Sequence, residues 1–228
     1  MCIRDSTYIL VMAEQYFEYG TKEINYLKSK DKKLAEAIDK IGMPKRLIIP
    51  DLFSALVHSI TGQQISTKAH KTIWNRLQNK IKKITPTTIL ALSDEELQSI
   101  GVSFKKVGYI KNIAQKIIDK ELDIEKLNTL SDDEICEELV KLKGIGKWTA
   151  EMIMIFSMQR MNILSYGDLA IVKGMRMLYH HREITPEKFN KYWRRYSPYA
   201  SIASFYLWAI ASGEIPEMKD YAPKKSKK

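Results

Sequence analysis

With 228 residues, 45% hydrophobic and 28% charged, the chain can bury a substantial core as one large domain or two small ones, and no apolar run approaches the ~20 residues that span a bilayer. Two distant cysteines, Cys2 and Cys136, exclude a four-cysteine iron–sulfur or zinc site, and the four histidines lack ligand spacing, so no metal site is expected. A net charge of +10 admits a polyanionic partner without requiring one; four of the lysines lie in the terminal PKKSKK, yet the body without them is still basic.

In chain order, the opening MCIRDSTYILV shows no helical period. Its apolar run Tyr8–Ala13 is short for a signal peptide and lacks a clearly basic flank, Met12 is an alternative start, and a cytoplasmic protein is expected. Residues 23–42 read as helical up to Gly42, and RLIIP (46–50) is the one extended piece. Leu52, Leu56 and Ile60, then Val107, Ile110, Ile113, Ala114 and Ile117, recur at helical spacing. Ser93 with Glu96, and Ser131 with Glu134, have capping-box spacing; Gly101 and Gly213 stand where helices should end, and Thr185-Pro186 opens another. About ten short helices and no sheet give an all-α fold. Residues 51–168 read as a central lobe that includes a helical hairpin at about 132–158. Residues 1–50 and 169–215 are expected to pack together as a second lobe, with a cleft between the two and Asp168 near the junction. Residues 216–228 form a basic tail.

The stretch LKGIGKWTA (142–150) is the most informative. Gly144 and Gly146 permit a tight turn and let backbone amides approach another molecule; free amides at the following helix start, with Lys147 beside them, would suit a phosphate. An ordinary helix–helix turn accounts for the same glycines. Asp168, in ILSYGDLAIVKG, reads by itself as a helix N-cap.

Taken with HSITGQQIST (58–67), GVSFKKVGYIKNIA (101–114) and YSPYASIASFYLW (196–208), these motifs resemble the helix-hairpin-helix DNA glycosylase superfamily over roughly residues 45–215. The resemblance implies two helical lobes with an active-site cleft between them and makes Asp168 the catalytic carboxylate. Members that also nick the strand carry a Schiff-base lysine where this chain has Trp148, so the likeness is to the DNA-3-methyladenine glycosylase II branch, in a compact form without the N-terminal β-domain. It further implies a base pocket of Trp148, Met152 and Tyr199, and DNA-binding roles for Gly144, Gly146, Lys147, Thr149, Gln63 and Gln64, with Gln64 as the wedge that fills the gap left by a flipped base. A monovalent cation on the carbonyls of Leu142 and Ile145 is also implied. Met152 replaces a tyrosine and Ala200 an arginine of better-known relatives, which predicts a less aromatic pocket. Trp208 reads as core, and Lys105, Lys106 and Lys111 as a solvated helix face that has an alternative in phosphate contact.

The implied activity is that of a monofunctional DNA glycosylase of base excision repair. Acting as a monomer on double-stranded DNA, without a membrane, it hydrolyses the N-glycosidic bond of alkylated bases such as 3-methyladenine and leaves an abasic site. Two alternatives stay open: a bifunctional glycosylase-lyase, and a non-catalytic helix-hairpin-helix module that only holds DNA.

Overall fold

The computed structural model describes residues 14–223; the expectations for residues 1–13 and for the four tail lysines fall outside them. Thirteen helices follow one another there, against about ten expected: α1 (Thr21–Lys30), α2 (Lys32–Ile41), α3 (Leu52–Gly62), α4 (Thr67–Lys80), α5 (Pro86–Leu90), α6 (Asp94–Gln98), α7 (Phe104–Ile118), α8 (Ile124–Leu127), α9 (Asp132–Val140), α10 (Lys147–Phe156), α11 (Leu169–Tyr179), α12 (Pro186–Tyr196) and α13 (Ala200–Ser212). Helices α5, α6 and α8 are each about one turn long, too short to show an apolar period, and of the three only α6 was marked in the sequence, by its Ser93–Glu96 capping box. Local chemistry sets the boundaries. Ser93 with Glu96 and Ser131 with Glu134 close reciprocal capping boxes, Thr185 caps α12 with Pro186 in its first turn, and Gly42 and Gly213 end α2 and α13 at positive φ. The extended piece at 46–50 pairs with the residues before α1: the Phe17 amide donates to the Arg46 carbonyl at 2.8 Å and the Ile48 amide to that of Gln15 at 2.9 Å. This is an isolated bridge, not a sheet.

Two groups of helices form around one continuous core. In the first, α3 packs against α4, α7 and α10, while α9 lies on α10, and α5 and α6 lie on α7. In the second, α13 packs against α2, α11 and α12, with α1 on α2 and α12. Helix α13 is buried on nearly every side, as its all-round apolar sequence requires. Gly174 of α11 is what lets α11 and α13 approach so closely, since a Cβ there would stand 2.2 Å from the Leu207 carbonyl oxygen. Asp31 ties three helices of this group. One oxygen caps α2 through the Leu34 amide (2.9 Å), and the other accepts the Tyr179 hydroxyl (2.9 Å) and the Arg195 guanidinium (2.6 Å). Burying that carboxylate is tolerable because every oxygen has a donor.

The two groups join at residues 156–165. The Ile49 amide donates to the Phe156 carbonyl, Phe156 stacks on Trp208 at 5.7 Å, and Ser201 bonds both the Ile163 amide and the Arg160 carbonyl. This junction places the start of α11 between α10 and α13.

Gly174→Ala should destabilise the fold by about 3 kcal/mol, because the added methyl meets main chain that cannot step aside; urea unfolding measures the difference. A second expectation concerns pH. His58 on α3 lies 4.1 Å, ring to ring, from His70 on α4, and burial, then its neighbour's charge, push its pKa down from 6.5 to about 4. In that window the unfolded chain binds a proton that folded His58 does not, so stability is lost as pH falls from 6.5 towards 4. Unfolding free energies at pH 7 and pH 5 should diverge more for the wild type than for His58→Phe.

Candidate active site

Asp168 is the N-cap of α11, and its carboxylate is the best-connected acceptor at the junction. Oδ1 accepts the Ala170 and Ile171 amides at 2.9 and 3.0 Å and the Trp208 indole N–H at 3.2 Å. Oδ2 accepts the Trp148 indole N–H at 2.9 Å. Four N–H donors thus converge on an acceptor-only group, at the helix end where the backbone dipole favours negative charge. Asp168 is 7% exposed, whereas Trp148, which covers Oδ2, is 48% exposed. The residue is therefore both a helix cap and an anion with one oxygen behind a solvent-facing ring. Trp208 corrects the sequence reading: its ring is packed with Phe156 and Phe205, but its N–H belongs to the site.

The turn carrying Asp168 is pinned on both sides. The Asp168 amide donates to the Ser165 carbonyl at 3.3 Å, the Tyr166 hydroxyl donates to the Ile184 carbonyl at 3.0 Å, and the fully buried Ser165 hydroxyl donates to Glu151 of α10. Burial pushes the Glu151 carboxyl up and the nearby Asp168 charge adds to this, while Ser165 and Lys147 pull it down. Sequence reasoning missed Glu151, whose only signal was its place three residues after Trp148. It also missed Leu169, which follows Asp168 and is 84% exposed.

The hairpin lies between α9 and α10. Gly144 has φ +90°, and a Cβ there would sit 2.4 Å from the Tyr109 ring, so the position demands glycine. Gly146 caps α10 with no side-chain acceptor and open space around its α-carbon, and Lys147 is exposed beside it. The first amides of α10 are thus available to an anion. Thr149, in the first turn of α10, is buried at 8% exposure. The Gln63 side-chain amide N–H donates to the Gly144 carbonyl at 2.7 Å and ties the α3–α4 loop to the hairpin. Gln64 next to it is exposed at the loop's tip, in the left-handed conformation (φ 56°). Lys106 is no solvated lysine but bonds the Thr61 and Gln63 carbonyls at the end of α3, and Lys111 pairs with Asp94 at 2.6 Å; Lys105 lies over the Tyr109 ring. Of the carbonyls implied for a monovalent cation, that of Leu142 already accepts the Ile145 amide at 3.0 Å, which leaves it one lone pair for an ion. Such an ion would add positive charge to the phosphate-facing turn.

Of the three pocket residues, Trp148 touches Asp168 directly. Met152 follows one turn later on α10, half-buried against the core. Tyr199 opens α13, half-buried and edge-on to Tyr26 of α1 at 5.1 Å, and the Tyr26 hydroxyl bonds the Ser197 carbonyl.

Known proteins share this architecture. A DNA-3-methyladenine glycosidase from Bacillus halodurans superposes with a TM-score of 0.77 at 32% identity, over 89% of this chain and 95% of that one. A 3-methyladenine DNA glycosylase of Schizosaccharomyces pombe, solved in complex with abasic DNA, gives 0.71 at 29% identity, over 83% and 96%. In sequence, DNA-3-methyladenine glycosylase 1 of Schizosaccharomyces pombe is 32% identical over 161 residues, which cover 68% of this chain and 71% of that protein. Residues 57–198 match the HhH-GPD superfamily of base excision DNA repair proteins, and with the hairpin and the capping aspartate both in place, the chain belongs to that superfamily.

Proposed function

We propose that this protein is a monofunctional DNA glycosylase that releases alkylated bases, 3-methyladenine above all, from double-stranded DNA by hydrolysing the N-glycosidic bond. One observation carries the reading: the Asp168 carboxylate is met by indole N–H groups and main-chain amides, not by a lysine.

The chemistry follows from what the site holds. A purine alkylated at N3 or N7 carries positive charge, so the bond from the sugar C1′ to the base nitrogen breaks with its electron pair moving to the base, which leaves neutral without prior protonation. The sugar is left as an oxocarbenium-like cation. Asp168 stabilises that cation electrostatically and accepts a proton from the water that attacks C1′. Oδ2 is the oxygen suited to this, because it accepts a single bond, from a tryptophan with room to move, whereas Oδ1 is held by three donors. Trp148, Tyr199 and Met152 supply an aromatic and polarisable surface for a cationic ring, each aromatic face contributing roughly 0.5–2 kcal/mol. The free amides of α10 and Lys147 hold a phosphate, Gln64 enters the gap left by the extruded base, and the exposed Leu169 packs against the sugar side of the site.

Among the described residues no lysine bonds Asp168: Lys147 is one residue from Trp148, about 100° around the helix, and faces Glu151 one turn on. Borohydride treatment with abasic-site DNA should therefore trap no covalent adduct above background. Asp168→Asn still caps α11, but it removes the charge and turns an amide donor towards an indole donor. Single-turnover release of 3-methyladenine from methylated duplex, followed by chromatography of the free bases, should fall by about 10²-fold or more, while affinity for abasic-site DNA changes only a few-fold. Release at the wild-type rate by this variant would remove Asp168 from the mechanism.

A further inference from the structure

Glu151 is the second carboxylate near Asp168, and nothing in the reaction above uses it. It projects from α10 one turn after Lys147, next to the face that carries Trp148 and Met152. Its Oε2 accepts the hydroxyl of Ser165, a side chain with no solvent exposure. The Ser165 carbonyl in turn accepts the amide of Asp168, closing the turn Ser165–Asp168. Glu151 is also half-buried, and burial and the Asp168 charge both work against its own charge, an arrangement that costs stability and asks for a use. From these contacts we propose that Glu151 is a positioning residue for the reaction: by holding the buried Ser165 hydroxyl it fixes the turn on which Asp168 stands and so aims the carboxylate at the sugar.

The chain of contacts is short and has no obvious substitute. Tyr166 anchors the same turn through the Ile184 carbonyl, but that bond does not hold the Ser165 hydroxyl, whose partner is Glu151. Asp168 would keep its cap on α11, since the Ala170 and Ile171 amides belong to the helix itself. What loosens is the register of Oδ2 against Trp148, which sits on the same helix as Glu151. A displacement on the order of 1 Å at a reacting group is enough to cost about 10²-fold in rate.

The inference rests on the glycosylase reading, but its test has a readout that does not. The indole N–H resonances of Trp148 and Trp208 report where the Asp168 oxygens lie, with or without DNA, and Trp→Phe variants assign them. Glu151→Ala should move the Trp148 resonance towards that of a free indole and slow base release by about tenfold or more, with affinity for abasic-site DNA held within a few-fold. Ser165→Ala, which removes one oxygen, should do the same and serves in its place if the first variant does not fold. Glu151→Gln keeps an oxygen for Ser165 and should restore the resonance and most of the rate. The proposal is overturned if either alanine variant leaves the indole resonance in place, or if the glutamine variant is as slow as the alanine one. Should the wild type release no base at all, the glycosylase reading fails by itself, and the resonances still decide whether Glu151 sets the position of Asp168.

Discussion

The Asp168 carboxylate draws N–H groups from three helices: Trp148 of α10, Ala170 and Ile171 at the start of α11, and Trp208 of α13. A buried carboxylate without donors is among the least tolerable groups in a protein interior, so the junction between the two helical groups has to be assembled around this side chain. Much else follows from that demand. Helix α11 begins at Asp168 because the helix end needs an acceptor. The close crossing of α11 and α13 at Gly174 keeps Trp208 within reach, and the stack of Phe156 on Trp208 connects α10 to the same place. The cap and the anion are one residue, and a fold that loses the first also loses the second.

Dispersing the charge of a carboxylate over four donors has a cost for catalysis, since an anion already satisfied is a weaker stabiliser of a cation. The site divides this cost unevenly. Oδ1 carries the structural bonds and Oδ2 carries one, to the only indole of the pair that is substantially exposed. A ring held by a single hydrogen bond at the surface can yield to an entering nucleotide at a cost of about 1 kcal/mol, whereas stripping the main-chain donors from Oδ1 would unravel the first turn of α11. Under the proposed mechanism, the asymmetry between the oxygens would let a helix cap double as a reactive group.

Legibility in the sequence divides along the same line between local and non-local chemistry. Both capping boxes, the Thr185-Pro186 start and the glycine stops at Gly42 and Gly213 were readable, because their partners lie within a few residues of one another. Of the one-turn helices only α6 was, through its Ser93–Glu96 box; α5 and α8 have no room for a period. The hairpin glycines were readable from spacing and from family likeness, while the reason for Gly144, the Tyr109 ring 35 positions earlier, was invisible. The same holds for side-chain roles. Lys106 reads as solvated until its carbonyl partners at the end of α3 are seen, the bond from Gln63 to the Gly144 carbonyl leaves no sign in the sequence, and Trp208 reads as core because a helix pattern reports where a ring is buried and not where its N–H points. Polar partnerships across 40 or 80 residues leave no periodic trace.

Substituting tryptophan for a lysine beside such an aspartate changes more than the nucleophile. An ammonium at that place would pair with Asp168 as a full charge and would have to shed its proton before attacking a sugar. The indole offers a neutral donor that holds Oδ2 without cancelling it, and it adds a large π-face where an ammonium would repel a cationic base. Relieved of any need to protonate the leaving group, a site of this kind has to supply only negative potential at C1′, a surface that prefers electron-poor rings, and a firm hold on DNA phosphates. The first calls for an aimed carboxylate, the second for Trp148 and its neighbours, and the third for the uncapped start of α10. All three stand on α10 or on contacts made by it. On the proposed reading, that helix, entered through the two glycines of the hairpin, would orient the chemistry and the DNA with respect to each other.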